Sequence, residues 1–124
     1  MSQRKKPWEI EFLTLLVPIS GPISLAHIST IKRVEFVSGG HPTEYSVLSD
    51  TITVFCRAYI INPESVVHTP CNEPDINIRA SGIANNINSN YIHHIIGNCA
   101  FVVEEDTLFN RAHLNQLMQN YSKK

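Results

Sequence analysis

The sequence has few cysteines and few charged residues. Its 124 residues include 3 cysteines without a repeated spacing, and 17% are charged, below the ~25% that is usual. An odd, scattered set of thiols argues against a disulfide framework and favours a reducing compartment, so we expect a cytoplasmic protein. The low charge, together with 15 Ile and 11 Asn, indicates a surface that a partner or a second copy covers in part.

Long apolar runs are also missing. The amino terminus mimics a secretion signal, with a basic head followed by apolar residues, but Glu9 and Glu11 interrupt it. The uninterrupted run from residue 12 to 19 is eight residues long, whereas a membrane span needs ~20. The sequence therefore predicts neither a leader nor a membrane-bound protein.

The formal charge of −1 is unevenly distributed. Residues 7–122 carry 5 basic and 11 acidic groups, a net charge of −6, and the remaining basic residues lie at the two ends. Length and composition predict a single domain over residues 1–124, with flexible basic ends at 1–6 and 122–124. Basic ends can contact nucleic acid, but an acidic body repels a polyanion.

Alternation of apolar and polar residues predicts several strands. The clearest covers residues 51–61, where Ile52, Val54, Cys56, Ala58 and Ile60 share an apolar face. Cys56 is most simply a small core residue on that face. Short connections between neighbouring strands favour antiparallel pairing. Further strands are predicted at residues 8–17, 31–37, 43–48, 75–80 and 99–103, with a short helical turn at 23–28.

The carboxy-terminal segment predicts an amphipathic helix. Asp106 is a plausible N-cap, and Leu114, Leu117, Met118 and Tyr121 recur at helical spacing. Residues 82–97 fit either a helix or a strand, and in both cases the adjacent histidines point in different directions. We therefore predict an α+β fold with a mainly antiparallel sheet of five or six strands and the carboxy-terminal helix packed on it.

Histidines and cysteines raise two chemical hypotheses. A metal site would use His68, Cys71, His94 and Cys99, but only the first two have a short ligand spacing, so no cofactor is expected. A Cys/His hydrolase would use Cys71 as nucleophile with His68 or His41 as base. Neither arrangement is specific, and the sequence contains no P-loop, nucleophile elbow or HExxH motif.

Contact surfaces give the favoured functional interpretation. We expect a non-enzymatic interaction or accessory protein that self-associates, or binds a protein partner, through an apolar sheet face. The alternative is a small nucleic-acid-binding regulator, because aromatic and basic residues on a strand can stack bases and hold phosphates. The residues for that role are Lys32, Arg33, Phe55, Arg57 and Tyr59.

Overall fold

A computed structural model describes residues 6–60 and 75–122. A short 3₁₀ turn at Pro7–Glu9 precedes the sheet. The strands are β1 (Glu11–Val17), β2 (Ser24–Ser29), β3 (Glu44–Val47), β4 (Ile52–Ile60) and β5 (His94–Val103). The helices are α1 (Thr30–Ser38), α2 (Ile78–Ile87) and α3 (Leu108–Ser122).

The five strands form one antiparallel sheet in the order β2-β1-β5-β4-β3. The predicted α+β fold, with a mainly antiparallel sheet and a carboxy-terminal helix packed on it, is confirmed. The order places the longest strand, β5, in the middle, and leaves β2 and β3 at the edges. Neighbouring chain segments are therefore not always neighbours in the sheet, because β5 inserts between β1 and β4.

Most buried apolar residues lie on one side of the sheet, here called the core face. Side chains of β1, β4 and β5 meet α2 and α3 there, and Leu15, Val54 and Phe101 are fully buried. α2 contributes Ala80, Ile83 and Ala84, and α3 contributes Leu114 and Leu117. Met118 and Tyr121 also pack against this core, as the helical spacing predicts.

Helix α1 covers the middle of the opposite side, here called the α1 face. The Arg33 guanidinium lies 3.7 Å from the centre of the Phe55 ring, and Asn98 Nδ2 donates to the Phe36 carbonyl over 3.1 Å. Val37 is the buried residue of the helix, with an exposed fraction of 3%. Because α2 and α3 cover the core face and α1 covers part of the opposite face, the sheet is packed on both sides.

Two predicted elements at residues 23–37 are wrong in type. Residues 23–28, predicted as a helical turn, largely form β2, and residues 31–37, predicted as a strand, lie within α1. Ser29 caps the helix by accepting a hydrogen bond from Lys32 N, and Gly39 ends it in a left-handed conformation. These two caps override the strand preference of the intervening β-branched residues.

The strand predicted at 75–80 is also wrong, apart from one bridge between Ile76 and Ile96. Asn77 begins α2 instead, because its side-chain oxygen accepts from Ala80 N over 3.0 Å. The ambiguous segment after residue 82 divides: its first part completes α2, and β5 begins at His94. α3 likewise begins one residue later than predicted, since Thr107 rather than Asp106 caps it through Asn110 N.

The alternation predicted for β4 fails near an irregularity in its pairing with β5. The register shifts between the pairs Cys56–Cys99 and Ala58–Ile96, next to Gly97, whose φ is +82°. Tyr59 consequently pairs with buried Ile95 and lies on the core face. The alternation predicted for residues 51–61 thus holds from Ile52 to Cys56 and fails beyond.

Candidate interaction surface

The outer edge of β3 has backbone groups that pair with no other strand of the described part of the chain. Leu48 N donates to Ile52 O over 2.9 Å, so the backbone of Leu48 points towards β4. Successive residues of a strand direct their backbone groups to alternate sides, and therefore Ser46 and Glu44 also face β4. The N–H and C=O groups of Tyr45 and Val47 point away from it. Within residues 6–60 and 75–122, no strand pairs with that side of β3.

Two of the four side chains of β3 are large, apolar and exposed. Tyr45 is 68% exposed and Val47 is 66% exposed, and their cross-strand partners are Phe55 and Thr53. The Tyr45 and Phe55 rings are tilted, with centroids 6.0 Å apart. Together with Arg33 above Phe55, they form a continuous surface beside α1. We call Tyr45, Val47 and the outward backbone of β3 the β3 edge.

The other edge of the sheet carries a cluster of charged groups, whereas β3 has one exposed charged residue, Glu44. His27 of β2 lies 2.6 Å from Asp106 Oδ2, and Arg111 binds both oxygens of the same carboxylate at 2.5 and 2.7 Å. Hydrogen bonds from Arg111 and His27 hold the pKa of Asp106 well below its usual range. Charged groups at a sheet edge disfavour pairing with a second strand. β3 is therefore the better candidate for association.

The residues predicted to bind nucleic acid do not form one patch. Phe55 lies on the α1 face under Arg33, whereas Tyr59 lies on the core face beyond the β5 irregularity. Lys32 is exposed on α1, which is a helix and not the predicted strand. Arg57 is exposed and forms an ion pair with Asp75 at 3.3 Å. The structure thus brings Arg33 and Phe55 together but places Tyr59 apart from them.

The predicted metal ligands are only partly within the described residues. His68 and Cys71 lie outside them, His94 begins β5, and Cys99 is fully buried in the same strand. Among the residues that the structure describes, no three His, Cys, Asp or Glu side chains converge on a common point. The geometry of the candidate hydrolase pair also lies outside the described residues, because Cys71 is its proposed nucleophile. His41, the other proposed base, is exposed in the connection before β3.

Cys56 and Cys99 are directly opposite each other on β4 and β5 and carry free thiols. Burial, with a smaller contribution from the charge of Glu44, raises the pKa of Cys56 to about 11. Burial also raises the pKa of Cys99 well above its usual value. Both thiols are therefore protonated at neutral pH, a state that makes a cysteine a poor nucleophile and a poor metal ligand.

An aromatic cluster closes the core at the start of β5. The His93 ring stacks on Tyr59 with centroids 5.1 Å apart, and Tyr91 meets it edge-on at 5.0 Å. Burial is the main cause that raises the pKa of Tyr91. His93 Nδ1 is buried, and no described residue makes a hydrogen bond to it. A catalytic base needs an orienting partner, so this cluster is better explained as packing.

The β3 edge was not singled out from the sequence. The alternation of residues 43–48 correctly predicts the strand, but it does not reveal whether that strand lies inside a sheet or at its edge. That information depends on the pairing of β4 with β5, which begins 34 residues after β4 ends. Comparison of the chain with family models, curated proteins and solved structures gave no match.

None of the described helices is both long enough and apolar enough to cross a membrane.

Proposed function

We propose that this chain is a non-enzymatic interaction protein, which associates with a protein partner or a second copy of itself through the β3 edge. The observation that carries the proposal is the combination of outward backbone groups with two exposed apolar side chains, Tyr45 and Val47. Addition of a strand to such an edge supplies main-chain hydrogen bonds, and the alternating side chains supply specificity.

The sequence suggested association through an apolar sheet face, and the proposed contact surface is a smaller part of the sheet, the β3 edge. The core face meets α2 and α3, and the centre of the opposite face meets α1, so neither offers a broad free surface. Among the described strands, large apolar side chains remain exposed on the strip beside α1, over β3. A partner strand laid along β3 would continue the sheet and cover Val47.

The nucleic-acid alternative has less support. Its aromatic residues are split between the two faces of the sheet, and Arg57 is already paired with Asp75. The chain between residues 7 and 122 is also acidic, which opposes binding of a polyanion. No feature of the described residues gathers cations around an exposed aromatic ring at β4. The alternative stays a prediction.

Affinity capture tests the proposal with three baits. The unaltered chain, Val47→Lys and Ile78→Lys are each exposed to extract from the native cell, and recovered proteins are quantified by mass spectrometry. Lysine on an edge strand disfavours pairing, while Ile78, 79% exposed at the start of α2, is a matched control away from the edge.

We expect Val47→Lys alone to lose specific partners, which are then purified and tested for direct binding. Recovery of the same partners by all three baits would contradict the proposal. So would the absence of both specific partners and self-association. Circular dichroism of each bait confirms that the substitution leaves the fold intact.

A further inference from the structure

The geometry of the β3 edge points to one occupant: we infer that it pairs antiparallel with the β3 edge of a second copy of this chain. The inference rests on the proposed function and names its partner. Two-fold symmetry brings a surface onto itself, so the edge must be complementary to its own reverse. The backbone orientation and the side-chain order of β3 both meet that condition.

The backbone restricts the pairing to few registers. Residues that exchange hydrogen bonds across the new interface must be those whose backbone points outwards, namely Tyr45 and Val47. If Tyr45 of one copy lies opposite Val47 of the other, the two-fold axis passes beside Ser46. Two hydrogen-bonded pairs then flank a Ser46–Ser46 pair, and all outward groups of these residues are satisfied.

The side chains favour this register over the one centred on Tyr45. Each Tyr45 ring packs against a Val47 of the second copy, and aromatic with β-branched pairs are among the stabilising cross-strand combinations. The other register would place Val47 opposite Thr43 and would lose both contacts. Glu44 would lie opposite Leu48, so no like charges face each other across the axis.

The packing of the sheet leaves room for the second copy. A two-fold axis perpendicular to the sheet keeps the same faces together, so the two α1 helices lie on one side of a ten-stranded sheet. α1 lies over β4 and β5, and its Arg33 reaches Phe55, while Tyr45 and Val47 beyond it stay exposed. The two copies would therefore form a shallow groove between their α1 helices, with Tyr45 and Val47 from both copies as its floor.

The interface is small, and this sets the affinity to expect. β3 has four residues, so the pair buries less than the ~1,200 Å² typical of stable complexes. We therefore expect a weak dimer that forms between micromolar and near-millimolar concentration. A weak dimer leaves the same edge available to another partner, which is why partner capture and self-association need separate measurements.

Sedimentation equilibrium measures the self-association. The unaltered chain should approach twice its mass of 14.0 kDa as concentration rises. Val47→Lys should weaken the dimer by about tenfold or more, because each dimer contains the substitution twice at the new interface. Ile78→Lys should leave the dimer unchanged. A dimer that persists in Val47→Lys overturns this inference, whereas the proposed function is decided by the partner capture with the same variant.

Cross-linking determines the register. In the inferred register two Ser46 residues are a directly opposed, non-hydrogen-bonded pair with Cα atoms about 4.5 Å apart, within the range that a disulfide needs. Ser46→Cys should therefore form a covalent dimer under mild oxidation with diamide. Cys71→Ser is used as the background, so that buried Cys56 and Cys99 are the remaining native thiols. Tyr45→Cys is the comparison.

Each outcome of these experiments decides the question. Faster cross-linking of Ser46→Cys than of Tyr45→Cys, with a concentration-dependent dimer, supports the inference. Faster cross-linking of Tyr45→Cys overturns the register. A monomer at near-millimolar concentration, without cross-linking of either variant, overturns self-pairing. In that last case, capture of a partner that depends on Val47 would still support the proposed function.

Discussion

Replacement of Asn77 should be among the most damaging single substitutions in the chain. Its side chain is 1% exposed and makes three hydrogen bonds. Oδ1 accepts from Ala80 N and caps α2, while Nδ2 donates to Val17 O over 2.8 Å and to Gly97 O over 2.9 Å. One residue thus joins the end of β1, the irregular part of β5 and the start of α2.

The magnitude follows from these three bonds. Loss of an N-cap costs about 1 kcal/mol, and each buried carbonyl left without its donor costs about 1 kcal/mol or more. Asn77→Ala should therefore lower the free energy of unfolding by about 3–5 kcal/mol, a large part of the ~5–15 kcal/mol of a typical domain. Asn77→Ser retains a capping oxygen but not the amide donors, so it should recover only about 1 kcal/mol.

Urea denaturation followed by circular dichroism measures both variants. Asn115→Ala is the matched control, because Asn115 is exposed on α3 and its replacement should change stability by less than about 0.5 kcal/mol. A loss below about 1 kcal/mol in Asn77→Ala would refute the reasoning. Full recovery in Asn77→Ser would show that the cap alone matters and that the two carbonyls have other partners.

Two further predictions concern buried thiols and the irregularity in β5. Because burial raises the pKa of Cys56 to about 11 in the folded chain, the unfolded thiol ionises first, so stability should be constant below about pH 8 and should fall as the pH rises towards 11. Urea titrations between pH 7 and pH 10 measure this, and Cys56→Ala should reduce the slope. An equal slope in the variant would contradict the assignment. Gly97→Ala should destabilise the fold by about 1–2 kcal/mol or more, since φ is +82° and the added Cβ would lie 3.0 Å from Arg57 Nε. Gly40→Ala, with φ +101° and no atom within 4 Å of the added Cβ, separates backbone strain from the contact with Arg57 when the two thermal unfolding curves are compared.

Elements with regular local patterns were predictable from the sequence. The alternation from Ile52 to Cys56 gives β4, and the spacing of Leu114, Leu117 and Met118 gives α3. Both elements bury one face against a single core, so the burial pattern appears directly in the residue order. The fold class follows from them, because short connections imply antiparallel neighbours.

Elements decided by caps were not predicted correctly. Residues 31–37 contain β-branched and aromatic side chains, and their preference for a strand was outweighed by the caps at Ser29 and Gly39. Asn77 likewise caps a helix that begins in a segment predicted as a strand. Its further bonds, to Val17 and Gly97, join residues that are distant in the chain. A cap of this kind is recognisable only when the tertiary partners of its side chain are known.

The predicted placement of Phe55 and Tyr59 on one face differs from the structure for a related reason. Period-two alternation assigned Phe55 and Tyr59 to one face, but Tyr59, which follows the register shift beside Gly97, packs against the core. A glycine within a strand pattern can indicate such a bulge. The shift arises only when β5 pairs with β4 in the folded sheet. The sequence of β4 alone therefore gives no indication of it.

Tyr45 and Val47 differ in how much their exposed apolar side chains contribute to the stability of the isolated chain. Tyr45 contacts Phe55 across the strands, and such a pair contributes roughly 0.2–1 kcal/mol to the sheet. Val47 has Thr53 opposite and remains 66% exposed, so the isolated chain gains little from its apolar side chain beyond strand preference. β3 also lacks the lysine or proline that commonly protects an edge from pairing, although Pro42 precedes it. Val47 is therefore the residue whose substitution separates the two roles, since Val47→Lys should impair association far more than it impairs folding.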